Sequence, residues 1–398
     1  MNGVILPIFG IFLTPGETKV SMASQYESWL RLLLVPELRK AHWCRLHREL
    51  GSPEAILGAG AADLCRIAGM GEDVAGAILR GPEPEAVDRE LDLIEQCGVS
   101  ICTCDDAAYP RRLADSSSPP PMFYFEGALS DADEYAVVVV GNRSMTQYGK
   151  LATVRITGDL VGAGVTVISG MAQGIDTVAH DTVLRHGGRT IAVLAQGLAK
   201  PDTAYRNELR RRIAEKGAVI SEFPMTAVPE KYHFPVRNHT MASMALATVV
   251  VEARERSGSL ITARKALEEN RLVFAVPGDV TRENSRGTNG LIREGAALAR
   301  DGKDVLSDLE PQLRALLKEK SVDGEPVEAV PDLSHLTPSA RDVFGKIKGE
   351  PIHLDLLSEA VAEKGIDFGT LSAALLELEM KGLIRHLPGN LYITERTS

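Results

Sequence analysis

Aromatic residues are only 5% of the 398-residue chain, so any site that stacks rings must rely on a few placed ones. No stretch of about 18 uncharged apolar residues occurs, which excludes a helical multispan membrane protein. Cysteine is sparse and uneven. Cys44, Cys65, Cys97, Cys102 and Cys104 are the whole set, odd in number and confined to the first 104 residues. That argues against a disulfide scaffold and for reduced, structural thiols in a cytoplasmic protein. Cys102 and Cys104 form C-x-C, but no histidine or second cysteine pair stands near them along the chain at ligand spacing, so no metal is expected. The apolar run at 4–13 has no Lys or Arg before it, so it lacks the positive start of a secretory signal; residues 1–21 read as an extension with no assigned role.

Several chemical signatures are also missing. No G-x-G-x-x-G follows the first strand pattern of the middle region, and Ser169-Gly170 stands where a dinucleotide enzyme would place an acid for the ribose, which excludes a nicotinamide cofactor. The G-x-x-x-x-G-K-[ST] phosphate loop and the G-x-S-x-G elbow are absent. His180, His186, His233 and His239 have no partner at metal spacing and read as structural or surface residues. No cofactor is expected.

What is present suits a soluble chain of two or three domains: 44% hydrophobic and 25% charged residues. Residues 22–105 carry helical periodicity, with Leu30, Leu33 and Leu34 opening it. Within them Gly69-Met70-Gly71 joins two apolar helical runs as a tight hairpin, and Glu72 and Asp73 suit the start of the second helix, as in a plain packing module. Residues 115–123, DSSSPPPMF, form a turn-rich connector. From 136 onward, β-branched runs (136–140, 165–169, 190–195, 218–221, 247–253 and 272–277) alternate with segments long enough for helices. This pattern predicts an α/β fold: a doubly wound, mostly parallel sheet over 106–307. Residues 308–334 read as an acidic linker with one possible short helix, and 335–398 as three helices and a hairpin around Pro388-Gly389-Asn390, a winged-helix outline.

The net charge of −10 argues against nucleic acid only on average. Residues 136–305 hold 23 Lys and Arg against 17 Asp and Glu, an excess of six positive charges, compatible with a local phosphate-binding surface. In an open parallel sheet, ligands bind beyond the carboxyl ends of the strands. There stand GNRSMTQYG (141–149), SGMAQGID (169–176), EARERSGSLITA (252–263) and PGDVTRENSRGTNGLIREGA (277–296), each rich in small residues that let backbone N–H groups approach an anion. KYHFPVRNHTMASMA (231–245) adds Lys231 and Arg237 beside Tyr232 and Phe234. Cations that track a backbone and a ring that stacks a base are what an unpaired strand needs, although Phe234 could equally cap the core.

These motifs, taken in order with YPRRL (109–113), FPVRN (234–238) and GTNGLIREGA (287–296), resemble the DNA-processing protein A family, DprA/Smf. The resemblance covers about half the chain, from 109 to 305. It implies a non-catalytic cytoplasmic protein that binds single-stranded DNA, loads the RecA recombinase in natural transformation, forms homodimers through an extended Rossmann-like domain and does not use a membrane. It also implies an N-terminal SAM- or helix-hairpin-helix-like domain and a C-terminal winged helix. By motif position, Arg143, Lys231, Phe234, Arg237 and Asn238, with Arg264 and Lys265 nearby, would contact DNA, while Gly141, Ser169, Gly170, Gly174, Ser257, Gly258, Ser259 and Thr262 would line a phosphate pocket. Two features depart from the family pattern. His239 stands where relatives carry a further basic residue, and the third helix of the last region bears Glu377 and Glu379 against Lys381, which favours protein interaction or packing over duplex reading. The alternative is a nucleotide-binding or nucleotide-hydrolysing enzyme resembling the phosphoribohydrolases. Its P-G-G-x-G-T-x-x-E motif is missing here; Glu252 precedes the loop and could substitute only by a different geometry.

Overall fold

The computed structural model describes residues 25–310, 336–347, 352–362, 366–381, 383–387 and 391–394. They belong to two compact units, one before and one after the segment 311–335. The extension at 1–21 and most of the linker, with its short helix, lie outside the described residues.

The first unit opens with six helices: α1 (25–33), α2 (Lys40–Leu50), α3 (Pro53–Gly58), α4 (Ala61–Ala68), α5 (Glu72–Arg80) and α6 (Pro84–Cys97). The expected hairpin is α4–α5. Gly69 adopts φ 64°, a left-handed conformation that ends α4, and Gly71 caps α5. Then follow β1 (Ser100–Thr103), α7 (Arg111–Ala114), β2 (Met122–Gly127), a short 3-10 turn, β3 (Ala136–Val140), α8 (Gln147–Gly162), β4 (Thr166–Ser169), α9 (Ile175–Arg185), β5 (Thr190–Leu194), α10 (Ala204–Lys216), β6 (Ala218–Ser221), α11 (His233–Met244), β7 (Ala247–Val250), α12 (Gly258–Glu268), β8 (Leu272–Ala275), α13 (Glu283–Arg293), β9 (Ala297–Leu298) and α14 (302–310).

All nine strands make one sheet, ordered β1-β2-β6-β5-β4-β3-β7-β8-β9. The run from β6 to β9 is parallel, as the alternation predicts. β1 and β2 add an antiparallel edge that the sequence does not announce. The four residues of β1 end a segment that reads as helical, and β2 is flanked by the three prolines of an apparent connector. β2 becomes a strand by pairing with the open edge of β6, and β1 then pairs with β2. β3 shows why the centre of the sheet is readable. All five of its residues are buried; Val137 and Val139 pack with Ile156 and Leu160 of α8, whereas Val138 and Val140 pack with Met241 and Ala242 of α11. A strand covered on both faces needs apolar residues at every position, each contributing about 1.5–3 kcal/mol.

The helical segment shares its core with the sheet: Trp43, Leu46, Leu91 and Ile94 join Tyr124, Leu194 and Met225. Glu90 of α6 accepts from the Tyr124 hydroxyl at 2.7 Å and from the Met225 amide at 2.7 Å. Burial pushes this carboxyl up.

The second unit holds α15 (Pro338–Phe344), β10 (Ile352–His353), α16 (Leu354–Ala362), α17 (Phe368–Met380), β11 (Ile384–Leu387) and β12 (Leu391–Thr394). The strands form an antiparallel sheet in the order β10-β12-β11, giving the expected winged-helix outline; the turn at 388–390 lies outside the described residues. Leu336, Val343, Leu357, Leu371 and Leu378 fill its core. Glu377 of α17 accepts from the Thr337 amide at 3.1 Å and its hydroxyl at 2.6 Å, so this acid ties α17 to the start of α15. Among the described residues no helix is long and apolar enough to cross a membrane.

Candidate nucleic-acid interface

From β3 the chain winds outward through β4, β5 and β6, then returns across the sheet to β7 beside β3. That reversal is the topological switch, and the loops at its carboxyl end part there to leave a crevice. The crevice has a volume of about 320 Å³. Gly141 and Arg143 reach it from the loop after β3, Ala172 and Asp176 from the loop after β4 and the start of α9, Phe234, Arg237, Asn238 and Met241 from α11, and Ser257, Gly258, Ser259 and Thr262 from the start of α12.

The backbone approach depends on missing side chains. A Cβ on Gly141 would sit 2.7 Å from Ile175 Cγ1 and 3.1 Å from the Glu252 carbonyl. Gly174 adopts φ 94°, and a Cβ there would strike the carbonyls of Asn142 and Arg143. The amino end of α12 opens on the crevice. Ser257 caps it, accepting from the Ser259 amide at 3.4 Å and lying 3.3 Å from Asn142 Oδ1. A helix start contributes about half a positive charge to such a site.

Two arginines play different parts. Arg143 is exposed, and its guanidinium lies over the Phe234 ring, 5.5 Å from the centroid. The ring is half-buried at the first turn of α11, so a cation and a platform meet at the pocket mouth. Arg237 is 7% exposed. Its Nη1 donates to the carbonyls of Gly170 (2.7 Å) and Val193 (2.8 Å), and its Nε donates to Asn238 Oδ1 (2.9 Å). Burial lowers it to about 10, with Asp176 opposing that fall. It stays charged at neutral pH and forms the pocket floor. Asp176 accepts from the amides of Gly170 (3.2 Å) and Ala172 (3.4 Å), and burial raises its carboxyl against the pull of Arg237.

The other expected site residues scatter. Ser169 is fully buried and donates to the Val139 carbonyl at 2.6 Å, so it braces the sheet below the crevice. Gly170 and Gly174 shape the loop without lining the pocket. Lys231 is exposed just before α11. Lys265 pairs with Glu268 at 2.6 Å on the surface of α12. Arg264 faces a separate cleft between α12 and α13, with Arg286 and Arg293. His239 turns inward, 8% exposed, with Nε2 2.8 Å from Glu269 Oε1, so it does not take the place of a phosphate-binding cation. His233 stacks on Phe223 at 3.9 Å between ring centroids. Glu252 accepts from the Thr146 amide (2.8 Å) and hydroxyl (2.5 Å), which aims its carboxylate at the start of α8 instead of the crevice. Asp176, Asn142 and Met241 are site residues that the sequence did not single out. Of these only Asp176 left a signal, an acid at the end of a Gly-containing loop.

The floor yields a first prediction. A Cβ on Gly170 would collide with the Arg237 guanidinium, which two carbonyls hold in place. Gly170→Ala is expected to cost about 1–3 kcal/mol, as overpacking does, measured by urea unfolding.

Fold and pocket together define an extended Rossmann-like protein with an arginine-floored crevice at its switch point and a winged helix later in the chain. Residues 100–310 match the family described as DNA recombination-mediator protein A, and residues 327–390 match the DprA winged helix domain. Protein Smf of Escherichia coli is 31% identical over 377 residues, covering 91% of this chain and 94% of that protein. Protein Smf of Synechocystis is 33% identical over 330 residues, covering 76% of this chain and 82% of that one. The X-ray structure of DNA processing protein A from Streptococcus pneumoniae is similar at a TM-score of 0.61 and 29% identity, covering 74% of this chain and 98% of that chain. The chain belongs to the DNA recombination-mediator protein A family, DprA/Smf.

Proposed function

We propose that this protein binds single-stranded DNA at the switch-point crevice and hands it to the RecA recombinase, acting in the cytoplasm as a homodimer and without catalysis. The observation that carries the reading is Arg143 above Phe234 at the mouth of the crevice. In free protein the ring attracts the guanidinium; with a strand bound, the ring stacks a base and the cation turns to the neighbouring phosphate. Duplex DNA cannot offer an unstacked base, so the crevice prefers unpaired strands. The α12 amino end supplies further positive potential, and Lys231, exposed ahead of α11, extends the cationic track. Family membership supports the RecA step, since recombination mediation is the family's description. Arg237 and Asn238 serve by holding the floor, and Arg264 and Lys265, on other faces of α12, contribute at most to the wider field.

Fluorescence anisotropy with a labelled dT oligomer and its duplex, at two salt concentrations, tests the proposal. Phe234→Ala is expected to weaken single-strand binding by about 1–3 kcal/mol with the salt dependence kept. Arg143→Ala and Lys231→Ala are each expected to weaken it and to flatten the log–log salt slope by about 0.7 per lost phosphate contact. Wild-type affinity in all three variants would overturn the reading.

A further inference from the structure

The C-x-C segment has no histidine near it in sequence, yet the fold supplies one. α2 lies against the loop after β1, bringing His47 to Cys104 and Asp105. His47 Nε2 stands 2.9 Å from Asp105 Oδ1, the Cys104 thiol lies 3.8 Å from that oxygen, and all three donor atoms fall within 4.8 Å of one another. Four-coordinate zinc, with Zn–N and Zn–O near 2.0 Å and Zn–S near 2.3 Å, separates its ligand atoms by about 3.3–3.8 Å. The trio therefore needs side-chain adjustments on the order of an ångström to close around one ion.

We propose that His47, Cys104 and Asp105 form a binding site for a zinc-class divalent cation, with water in the fourth position. The donor set is one nitrogen, one sulfur and one carboxylate oxygen, which suits a borderline-soft ion and not calcium or magnesium. Binding would release the thiol proton to solvent. Cys44, one turn before His47 on α2, is committed elsewhere: its thiol donates to the Pro119 carbonyl at 3.0 Å, so the fourth position stays with water. The Asp105 side chain is 53% exposed, which gives the ion an entry path. A metal here would clasp α2 to the strand edge and stabilise the helical segment on the sheet.

The test titrates the full, reduced, metal-free chain with Co(II), followed optically, then displaces it with Zn(II). One equivalent is expected, with four-coordinate visible bands and a sulfur-to-cobalt band in the near ultraviolet. Cys104→Ser should abolish the sulfur band, and His47→Gln and Asp105→Asn should each weaken uptake at least about tenfold. Cys97→Ser, which alters an exposed cysteine elsewhere, should change nothing. Absence of cobalt uptake, uptake without the sulfur band, or a sulfur band that survives Cys104→Ser would overturn the proposal. Far-ultraviolet circular dichroism checks each fold, and the exposed Asp105→Asn carries the test should Cys104→Ser fail to fold.

Discussion

Arg237→Met is expected to destabilise the first unit by about 3–5 kcal/mol, because it breaks a buried charge pair by removing one partner. The wild-type guanidinium sits between the Gly170 and Val193 carbonyls and within electrostatic reach of Asp176, whose carboxyl is 5% exposed at residue level. Removing it strands two carbonyls and an acid held otherwise by backbone amides, those of Gly170 at 3.2 Å and Ala172 at 3.4 Å among them. Asp176 must then take up a proton or draw in water. Methionine fills most of the volume, so the loss reports charge more than cavity. Lysine is a poor substitute, since one ammonium cannot serve the Gly170 and Val193 carbonyls and also the Asn238 oxygen that Nε now bonds. Adding Asp176→Asn should recover part of the deficit, because the double variant no longer buries an unpaired charge. Urea unfolding of the wild type, both single variants and the double variant gives the coupling directly. A loss in the double variant equal to the sum of the two single losses would show that the pair is not coupled.

Acid should weaken the protein through His180 by about 3 kcal/mol between pH 7.5 and pH 4. The ring is fully buried, and burial lowers it to about 3. Its Nδ1 lies 2.7 Å from Thr190 Oγ1, and that hydroxyl spends its single proton on the Val167 carbonyl at 2.7 Å. Nδ1 must therefore be the donor, which leaves Nε2 unprotonated, buried and without a partner among the described residues. Protonating Nε2 would create an internal cation whose new N–H has no acceptor. The sign follows. Below about 6.5 the unfolded chain takes up a proton that the folded chain refuses, so stability falls with pH until the folded group itself titrates near 3. His180→Leu removes this contribution whatever it does to stability at neutral pH. The difference in unfolding free energy between wild type and variant should narrow, in the variant's favour, by about 3 kcal/mol across that range. A pH-independent difference would show that the imidazole titrates normally. His239 and Glu269 act in the same direction, since both are lowered in the folded protein.

Much of the fold was legible because its signals are local. Five consecutive apolar residues at 136–140 can only be a strand covered on both faces, and the spacing of the later runs leaves room for helices and nothing else. The Gly- and Ser-rich loops were legible for the same reason: where small residues follow each strand, the carboxyl edge of a parallel sheet is where they must lie. β1 and β2 were not legible, since β2 is a strand by virtue of a partner far away in sequence, Tyr124 pairing with Ser221, and β1 in turn pairs only with β2.

Within the crevice the same division holds. Composition and order, by themselves, determined the class of fold, the edge on which a ligand would sit, and the nearness of cations to a ring in 231–238. Only the tertiary structure decided what each cation does. Arg143 and Phe234 are far apart in the chain yet meet at the mouth, while Arg237, three residues from that ring, is drawn below it by carbonyls 67 and 44 residues distant. His239 faces Glu269, and Arg264 and Lys265, adjacent in sequence, leave α12 toward different surroundings. The physical reason is that apolar periodicity is set by burial, which a residue shares with its neighbours, whereas a charged group is placed by whichever partner lies within about 3–4 Å after folding.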